Sequence, residues 1–381
     1  MASSPPRLPN ELCDTIIQDL HSEPKSLSNC ALVCHAWTPT AQRSLFSKLS
    51  IHERNCRQIV ERLTSTTIPH IAAHVKHLYV HLWGDLRSNI NRSTADRTPI
   101  LDLLLSHISQ FTNVEELTLD GCRAFTNLNW DVTWTDLLAG ALPSISRLTV
   151  SYLDFEDLPH LVDLVTAFPQ LTQLNVDDID IVAASHEYTN EDQEPYDGPK
   201  IPPPLLKTFA YSSGNFASGG GPFLRWLAAG PQTFSTLHLE LDAEAGDVNA
   251  GVELVGAAGD NLETLFLTFD DQWQMWEGLE FSENSSLRSL TLGYLSASLV
   301  DVLQSVKSPL KHLTLRNIDE LDEGLWPRLI ETLMGPSFAL LARVNFCVAF
   351  ASAEDLRNNV AKDYPEFFKK GIAFFASNRD S

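Results

Sequence analysis

The chain contains 381 residues, of which 44% are hydrophobic and 20% are charged, a composition typical of a globular protein with a sizeable core. Its formal net charge is −22. Of the 27 basic and 49 acidic residues, 6 and 5 lie within residues 1–60, so the remainder carries a net charge of about −23. Such an acidic surface repels phosphate backbones and anionic lipids, so we expect no nucleic acid and no membrane as partners.

Residues 5–56, which we call the head, have the residue spacing of three short helices. Apolar side chains lie four residues apart at Leu12, Ile16 and Leu20, which places them on one face of a helix that begins near Pro9. A break at residues 21–26 follows.

The next two predicted helices follow this break. Ser26 is suited to cap a second helix, whose apolar positions run through Cys30 and Cys34 to Trp37. A third helix is predicted from Thr38 as its cap, with a proline at the first helical position. We expect the two cysteines to be packed thiols, and not zinc ligands.

The head contains more large apolar side chains than one inward face needs. The surplus comprises Leu8, Ile16, Ile17, Leu20, Leu32, Val33 and Trp37. Full burial of such a side chain stabilises a protein by about 1.5–3 kcal/mol. The surplus predicts burial against the rest of the chain, a partner, or both.

The order and spacing of these residues resemble the F-box motif, in the form abundant in mushroom-forming fungi. The resemblance covers about 40 residues and lies in LPNEL, CALVCHAW and the SLFSKLSI exit. It implies docking on the Skp adaptor and, through it, on the cullin of a ubiquitin ligase. By motif position, the implied contact residues are Leu8, Pro9, Leu12, Ile16, Leu20, Leu27, Val33 and Trp37. The alternative is an ordinary helical cap on the first repeat.

Residues 57–350, the body, repeat a short pattern of six residues. The first and the last residue of the pattern are apolar, the fourth is a leucine, and the others vary. The central residues of the repeats are Leu78, Leu117, Leu148, Leu174, Phe209, Leu237, Leu265, Leu290, Leu313 and, as a possible tenth, Val344. Most gaps lie in or near the period of about 20–29 residues of leucine-rich repeats. Helical spacing between the strands predicts an α/β fold, a leucine-rich-repeat solenoid with a parallel sheet on its concave side.

Side chains between the leucines of each strand are expected to line the concave face and to bind a target protein. The candidate target-binding residues are Thr118, Asn175, His238, Phe266, Thr291 and Thr314. The face is predicted to be polar and mostly acidic, with Phe266 as its one large apolar protrusion. With Trp273, Met275 and Trp276 in the next loop, it suits a basic, partly apolar segment, unless these rings pack beneath the loop.

Three segments interrupt or end the repeats. Residues 183–204 are acidic and rich in proline, which predicts a mobile surface loop. Residues 215–223 contain three consecutive glycines and are predicted to be flexible. Residues 351–381 are predicted to form a C-terminal cap or tail.

The sequence contains no nucleophile elbow, phosphate-binding loop, dinucleotide fingerprint or HExxH zinc motif. His74 and His77 would face opposite sides of a strand, so a shared metal with His81 is not expected. We predict no catalytic residue, no cofactor and no metal.

The hypothesis favoured by the sequence is a non-enzymatic substrate receptor of an SCF-type ligase. The alternatives are a leucine-rich scaffold outside ubiquitination and, less favoured, a parallel β-helix enzyme. The lack of an apolar leader, of a long apolar run and of a disulfide-like cysteine pattern favours the cytoplasm, the nucleus or both.

Overall fold

The computed structural model describes residues 9–64, 69–81, 107–121, 132–181, 200–213, 220–241, 247–269, 278–293, 298–318, 323–349 and 352–377. The chain divides into two compact units. The first comprises Met1–Phe125 and Asp131–Val150, and the second comprises Thr126–Trp130 and Ser151–Ser381. No helix among the described residues is long and apolar enough to cross a membrane.

The head forms the three predicted helices, α1 (Asn10–Asp19), α2 (Pro24–Val33) and α3 (Thr38–Leu45). The predicted start of α2 is wrong, because the helix begins at Pro24 and not after Ser26. The fixed φ of proline is preorganised for a first helical turn, which explains the earlier start.

The end of α2 also differs from the prediction. Cys34 is extended, so the apolar stripe does not continue along α2 to Trp37, which instead precedes α3. The Thr38 hydroxyl donates to the carbonyls of Ala31, at 2.9 Å, and Cys34, at 3.1 Å. Thr38 therefore ties α3 to the end of α2 instead of capping α3.

A small core holds the head together. Ile17, Leu27 and Ala41 are buried, one from each helix. Partly buried residues pack around them, namely Leu20, Cys30, Ala31, Trp37 and Leu45. The Thr40 hydroxyl donates to Asp14 Oδ1 at 2.6 Å, which joins α3 to α1.

The first unit continues from the head into parallel strands. These are β1 (Lys48–Ile51), β2 (His77–His81), β3 (Glu116–Asp120) and β4 (Arg147–Ser151), in that order. The helices of this part are α4 (Glu53–Thr64), α5 (Pro69–Ala72) and α6 (Val132–Ala141). The strand β1 was not predicted, and it pairs with the first predicted repeat strand. The predicted boundary at residue 56 falls inside α4.

The second unit contains eight parallel strands in chain order. They are β6 (Gln173–Asp177), β8 (Thr208–Ser212), β9 (Thr236–Leu241), β10 (Thr264–Phe269), β11 (Ser289–Leu292), β12 (His312–Leu315), β13 (Arg343–Val348) and β14 (Ala373–Ser377). The short strands β5 (Asp154–Phe155) and β7 (Asp180–Ile181) form a separate pair. The possible tenth repeat strand is thereby confirmed as β13.

Helices alternate with these strands, as the spacing predicts. They are α7 (Leu158–Thr166), α8 (Gly220–Ala229), α9 (Asp247–Ala258), α10 (Leu299–Gln304), α11 (Trp326–Met334), α12 (Ala353–Asp363) and α13 (Pro365–Lys369). The predicted flexibility of residues 215–223 is wrong for its second half, because Gly220 to Phe223 are buried in α8. The C-terminal segment adds a strand, β14, beside β13, so it extends the repeats and does not merely cover them.

Buried and half-exposed side chains alternate along the repeat strands. The leucines are buried and the residues between them are half-exposed, as in the alternating pattern of β3 and β9. Alternation places successive side chains on opposite faces of a strand. The prediction of an α/β repeat fold with a parallel sheet is confirmed, and within each unit the half-exposed residues share an open face.

Candidate protein-interaction sites

Among its described residues, the head leaves four large apolar side chains in solvent. Leu12 and Ile16, one turn apart on α1, are 51% and 53% exposed. Leu32 and Val33, at the end of α2, are 82% and 61% exposed. Leu32 is absent from the motif-derived contact set, although it belongs to the surplus. We call these four residues the head surface.

The other implied contact residues occupy different environments. Pro9 is exposed, whereas Leu20 and Trp37 are half-buried against the head core. Leu27 is 1% exposed and lies in that core, so we assign it a structural role. Leu8 lies outside the described residues.

The predicted packing of both cysteines on α2 is correct for one of them. Cys30 packs against the head core, whereas Cys34 is exposed. The extended backbone after Val33 turns Cys34 away from the helical stripe, which explains the difference. Among the described residues, no group of His, Cys, Asp and Glu is arranged to hold a metal ion.

In the first unit, the open face of the sheet carries two contacts between an imidazole and a carboxylate around Thr118. His77 Nδ1 lies 2.7 Å from Glu116 Oε2, and His81 Nδ1 lies 2.8 Å from Asp120 Oδ2. Thr118 and Tyr79 are neighbours on the two strands between these pairs. Burial, followed by the charge of Glu116, raises the pKa of the Tyr79 hydroxyl. Each of these acids faces an imidazole, so they do not form a bare acidic surface.

In the second unit, the remaining candidate target-binding residues lie in one row across the strands. The row runs Asn175, Ala210, His238, Phe266, Thr291, Thr314 and Asn345, each opposite the next in register. Neighbouring strands lie about 4.8 Å apart. The sheet thus brings together residues that are far apart in the sequence.

Phe266 is surrounded by nitrogen-bearing side chains. The His238 ring stacks on it with centroids 3.8 Å apart and planes at 22°. The guanidinium carbon of Arg316 lies 5.6 Å from the ring centroid. Among the described residues, the ring of Phe266 is thus flanked by His238 and Arg316. Asp270 and the neighbouring Trp273, Met275 and Trp276 lie outside the described residues.

Among the described residues, Glu240 is an acid that contacts this stack. His238 Nε2 lies 3.2 Å from Glu240 Oε1, and the Ser212 hydroxyl donates to Oε2 at 3.2 Å. The hydrogen bond with His238 is the main cause that lowers the pKa of Glu240 below its usual value. Glu240 is thus held as a charged partner of His238.

The open face carries a second ring, so the prediction of one large apolar protrusion is wrong. Phe374 on β14 is 45% exposed, and Arg343 lies over it at 4.8 Å. Arg343 Nε also donates to Asn345 Oδ1 at 2.7 Å. Residues 372–376 show no alternation that separates Phe374 from Phe375, and only the pairing of β14 with β13 shows which face Phe374 occupies.

Comparison with known proteins leaves the chain without a family assignment. No protein family matches it, and none of the curated proteins does. Similar solved structures include the leucine-rich repeat-containing protein LegL7 from Legionella pneumophila, 15% identical with a TM-score of 0.40 over 79% of this chain and 90% of that chain. A chain of the Rad7 and Elc1 complex in yeast is 12% identical with a TM-score of 0.40, over 95% and 92%. These likenesses are too low to carry an argument, so the repeat fold rests on strand register and burial.

Proposed function

We propose that this chain is a substrate receptor of an SCF-type cullin–RING ubiquitin ligase. In this proposal the head docks on the Skp adaptor and the open face of the repeats binds a target protein. The chain has no catalytic role and acts by holding two proteins close together, which raises the rate of transfer between them. It works in the cytoplasm, the nucleus or both.

The observation that supports docking most directly is the head surface. The head already has a core of its own, yet Leu12, Ile16, Leu32 and Val33 remain more than half exposed. Leu12 and Ile16 are neighbours on α1, and Leu32 and Val33 are neighbours on α2. Contiguous apolar side chains in solvent on a folded protein mark sites of interaction. Complete burial of such a side chain is worth about 1.5–3 kcal/mol, so docking would gain about 1 kcal/mol from each.

Docking of the head on the Skp adaptor is tested by co-purification. Two chemically matched double variants of this chain are compared with the wild type. Ile16→Ser/Leu32→Ser changes the head surface, whereas Leu205→Ser/Leu340→Ser changes two exposed leucines in the second unit. Loss of about 1 kcal/mol from each head residue predicts roughly thirtyfold weaker adaptor binding. The control pair should bind the adaptor as the wild type does.

Failure of the wild type to bind the adaptor refutes the ligase proposal. Equal binding by both double variants removes the head surface from it. Adaptor binding without recruitment of the cullin would instead favour a scaffold outside ubiquitination. The helices between most repeat strands disfavour the parallel β-helix enzyme, since such a coil has strands where these helices lie.

A further inference from the structure

A cluster of basic side chains lies on the sheet of the second unit, mostly where β11, β12 and β13 begin. Its members are Arg288, Lys311, His312, Arg316 and Arg343, which we call the basic patch. Arg316 is half-exposed and the other four are exposed. This cluster lies in a chain whose net charge is −22, so its sign is opposite to that of the body as a whole.

Strand pairing brings the members of the basic patch together. The Lys311 amide donates to the Arg288 carbonyl at 2.8 Å, so these residues are neighbours where β11 and β12 begin. His312 lies opposite Arg343 in the register of β12 and β13. Arg316 follows β12 on the same face as His312, about 13 Å further along the strand. The patch therefore extends along the whole of β12.

Arg316 acts on a nearby acid, since its charge is one of the causes that lower the pKa of Glu240. Among the described residues, no carboxylate forms an ion pair with any of the five side chains. Glu263 is the acid next to Arg288, through the bond from the Arg288 amide to the Glu263 carbonyl. The contacts of Arg316 and Arg343 with phenylalanine rings hold each guanidinium in place and leave its charge intact.

Hydrogen bonds hold part of the basic patch in place before any partner binds. Arg343 donates to Asn345 Oδ1, and Asn345 Nδ2 donates to Thr314 Oγ1 at 3.1 Å. Side chains that are already fixed lose less entropy when a partner binds. The charges of Arg288, Lys311 and Arg343 lie on successive strands and repel one another, and an anionic partner relieves this repulsion.

We propose that the basic patch binds an acidic peptide segment of the target protein. This inference deepens the target-binding half of the proposed function and replaces the basic segment expected from the sequence. The inference rests on charge complementarity between the basic patch and a short run of carboxylates. An extended nucleic acid fits less well, because its phosphates would continue past the patch onto the acidic remainder of the chain.

The test uses the full chain without the adaptor and a labelled peptide in which Glu alternates with Ser. We expect saturable binding of this peptide and at least about tenfold weaker binding of the matched peptide with Gln in place of Glu. Raising the salt concentration from about 0.15 M to about 1 M should also weaken binding, because the Debye length falls from about 8 Å to about 3 Å.

Two double reversals locate the site. Arg288→Glu/Lys311→Glu should weaken peptide binding at least about tenfold, since it removes two attractive pairs and adds two repulsive ones. Arg357→Glu/Lys362→Glu changes the net charge by the same amount on the exposed side of α12 and should leave binding unchanged. Circular dichroism confirms that both variants fold.

Three results would overturn the inference: equal binding of the Gln peptide, equal loss in the α12 variant, or tighter binding of a single-stranded oligonucleotide than of the Glu peptide. None of them bears on adaptor docking, because no adaptor is present. Conversely, loss of adaptor binding in the head variants leaves the peptide result unchanged. Adaptor docking and peptide binding can therefore each be refuted without refuting the other.

Discussion

Replacing Gly220 with alanine tests how tightly α8 packs on the neighbouring strand. A Cβ atom on Gly220 would lie 1.7 Å from the Tyr211 hydroxyl oxygen and 2.9 Å from Asp247 Oδ2. These two groups form a buried hydrogen bond in which the Tyr211 hydroxyl donates to Asp247 at 2.6 Å. The added methyl group cannot be accommodated unless this pair moves.

The cost follows from two contributions. Overfilling a packed core costs about 1–3 kcal/mol. Disrupting a buried hydrogen bond costs about 1–3 kcal/mol. We therefore expect Gly220→Ala to lower the free energy of unfolding by about 2–6 kcal/mol, although alanine is the better helix former.

Gly256→Ala is the matched control. Gly256 lies in α9 of the same unit, and among the described residues no atom beyond its chain neighbours and the helix backbone lies within 4 Å of an added Cβ. Alanine should therefore stabilise the helix by about 0.5–1 kcal/mol. Urea unfolding followed by circular dichroism measures both changes by linear extrapolation. Equal stability of Gly220→Ala and the wild type would refute the packing of α8 described above.

Two more predictions concern the head core and Glu240. Ile17→Ala should lower the free energy of unfolding by about 2–5 kcal/mol, whereas Ile16→Ala should change it by less than about 0.5 kcal/mol; equal losses in thermal unfolding would contradict the assigned core. Glu240 has a lowered pKa, so its stabilising contribution is present above the usual value of 4.5 and is lost as the pH falls through the lowered one. His238→Ala should raise the pKa of Glu240 in an NMR titration of its carboxyl group, and an unchanged pKa would show that His238 is not the main cause.

The repeat strands could be predicted because their signal is local. A strand such as β9 buries Leu237 and Leu239 and exposes the residues between them, so a few residues suffice to show the period. The strand β1 lacks this signal, since only Ile51 is buried in it. Its strand conformation depends on pairing with β2, which no short window of sequence contains.

The head surface could be predicted only in part, for a different reason. Apolar residues on three short helices outnumber the positions of a small core, and the sequence does not show which of them face inward. Ile16 and Ile17 are adjacent and chemically identical, yet the first is 53% exposed and the second is buried. Helix packing decides between them, and it also places Leu27 in the core.

The basic patch could not be predicted from the sequence because it depends on register. Arg288, Lys311 and Arg343 belong to different repeats and are separated in sequence by acidic residues. Averaged along the chain, the body is acidic. Parallel pairing selects one position from each repeat and places these positions side by side. A local basic patch can therefore exist in a chain with a large negative charge.

The two proposed sites should respond differently to salt, which separates them in one titration of the wild-type chain. The head surface consists of Leu12, Ile16, Leu32 and Val33, and burial of apolar side chains involves no charges that salt could screen. Peptide binding to the basic patch depends on exposed charges, whose interactions weaken as the Debye length shrinks. We therefore expect the peptide to dissociate at about 1 M salt while the adaptor remains bound. Parallel loss of both partners would show that adaptor docking is also electrostatic, and would contradict the apolar role of the head surface.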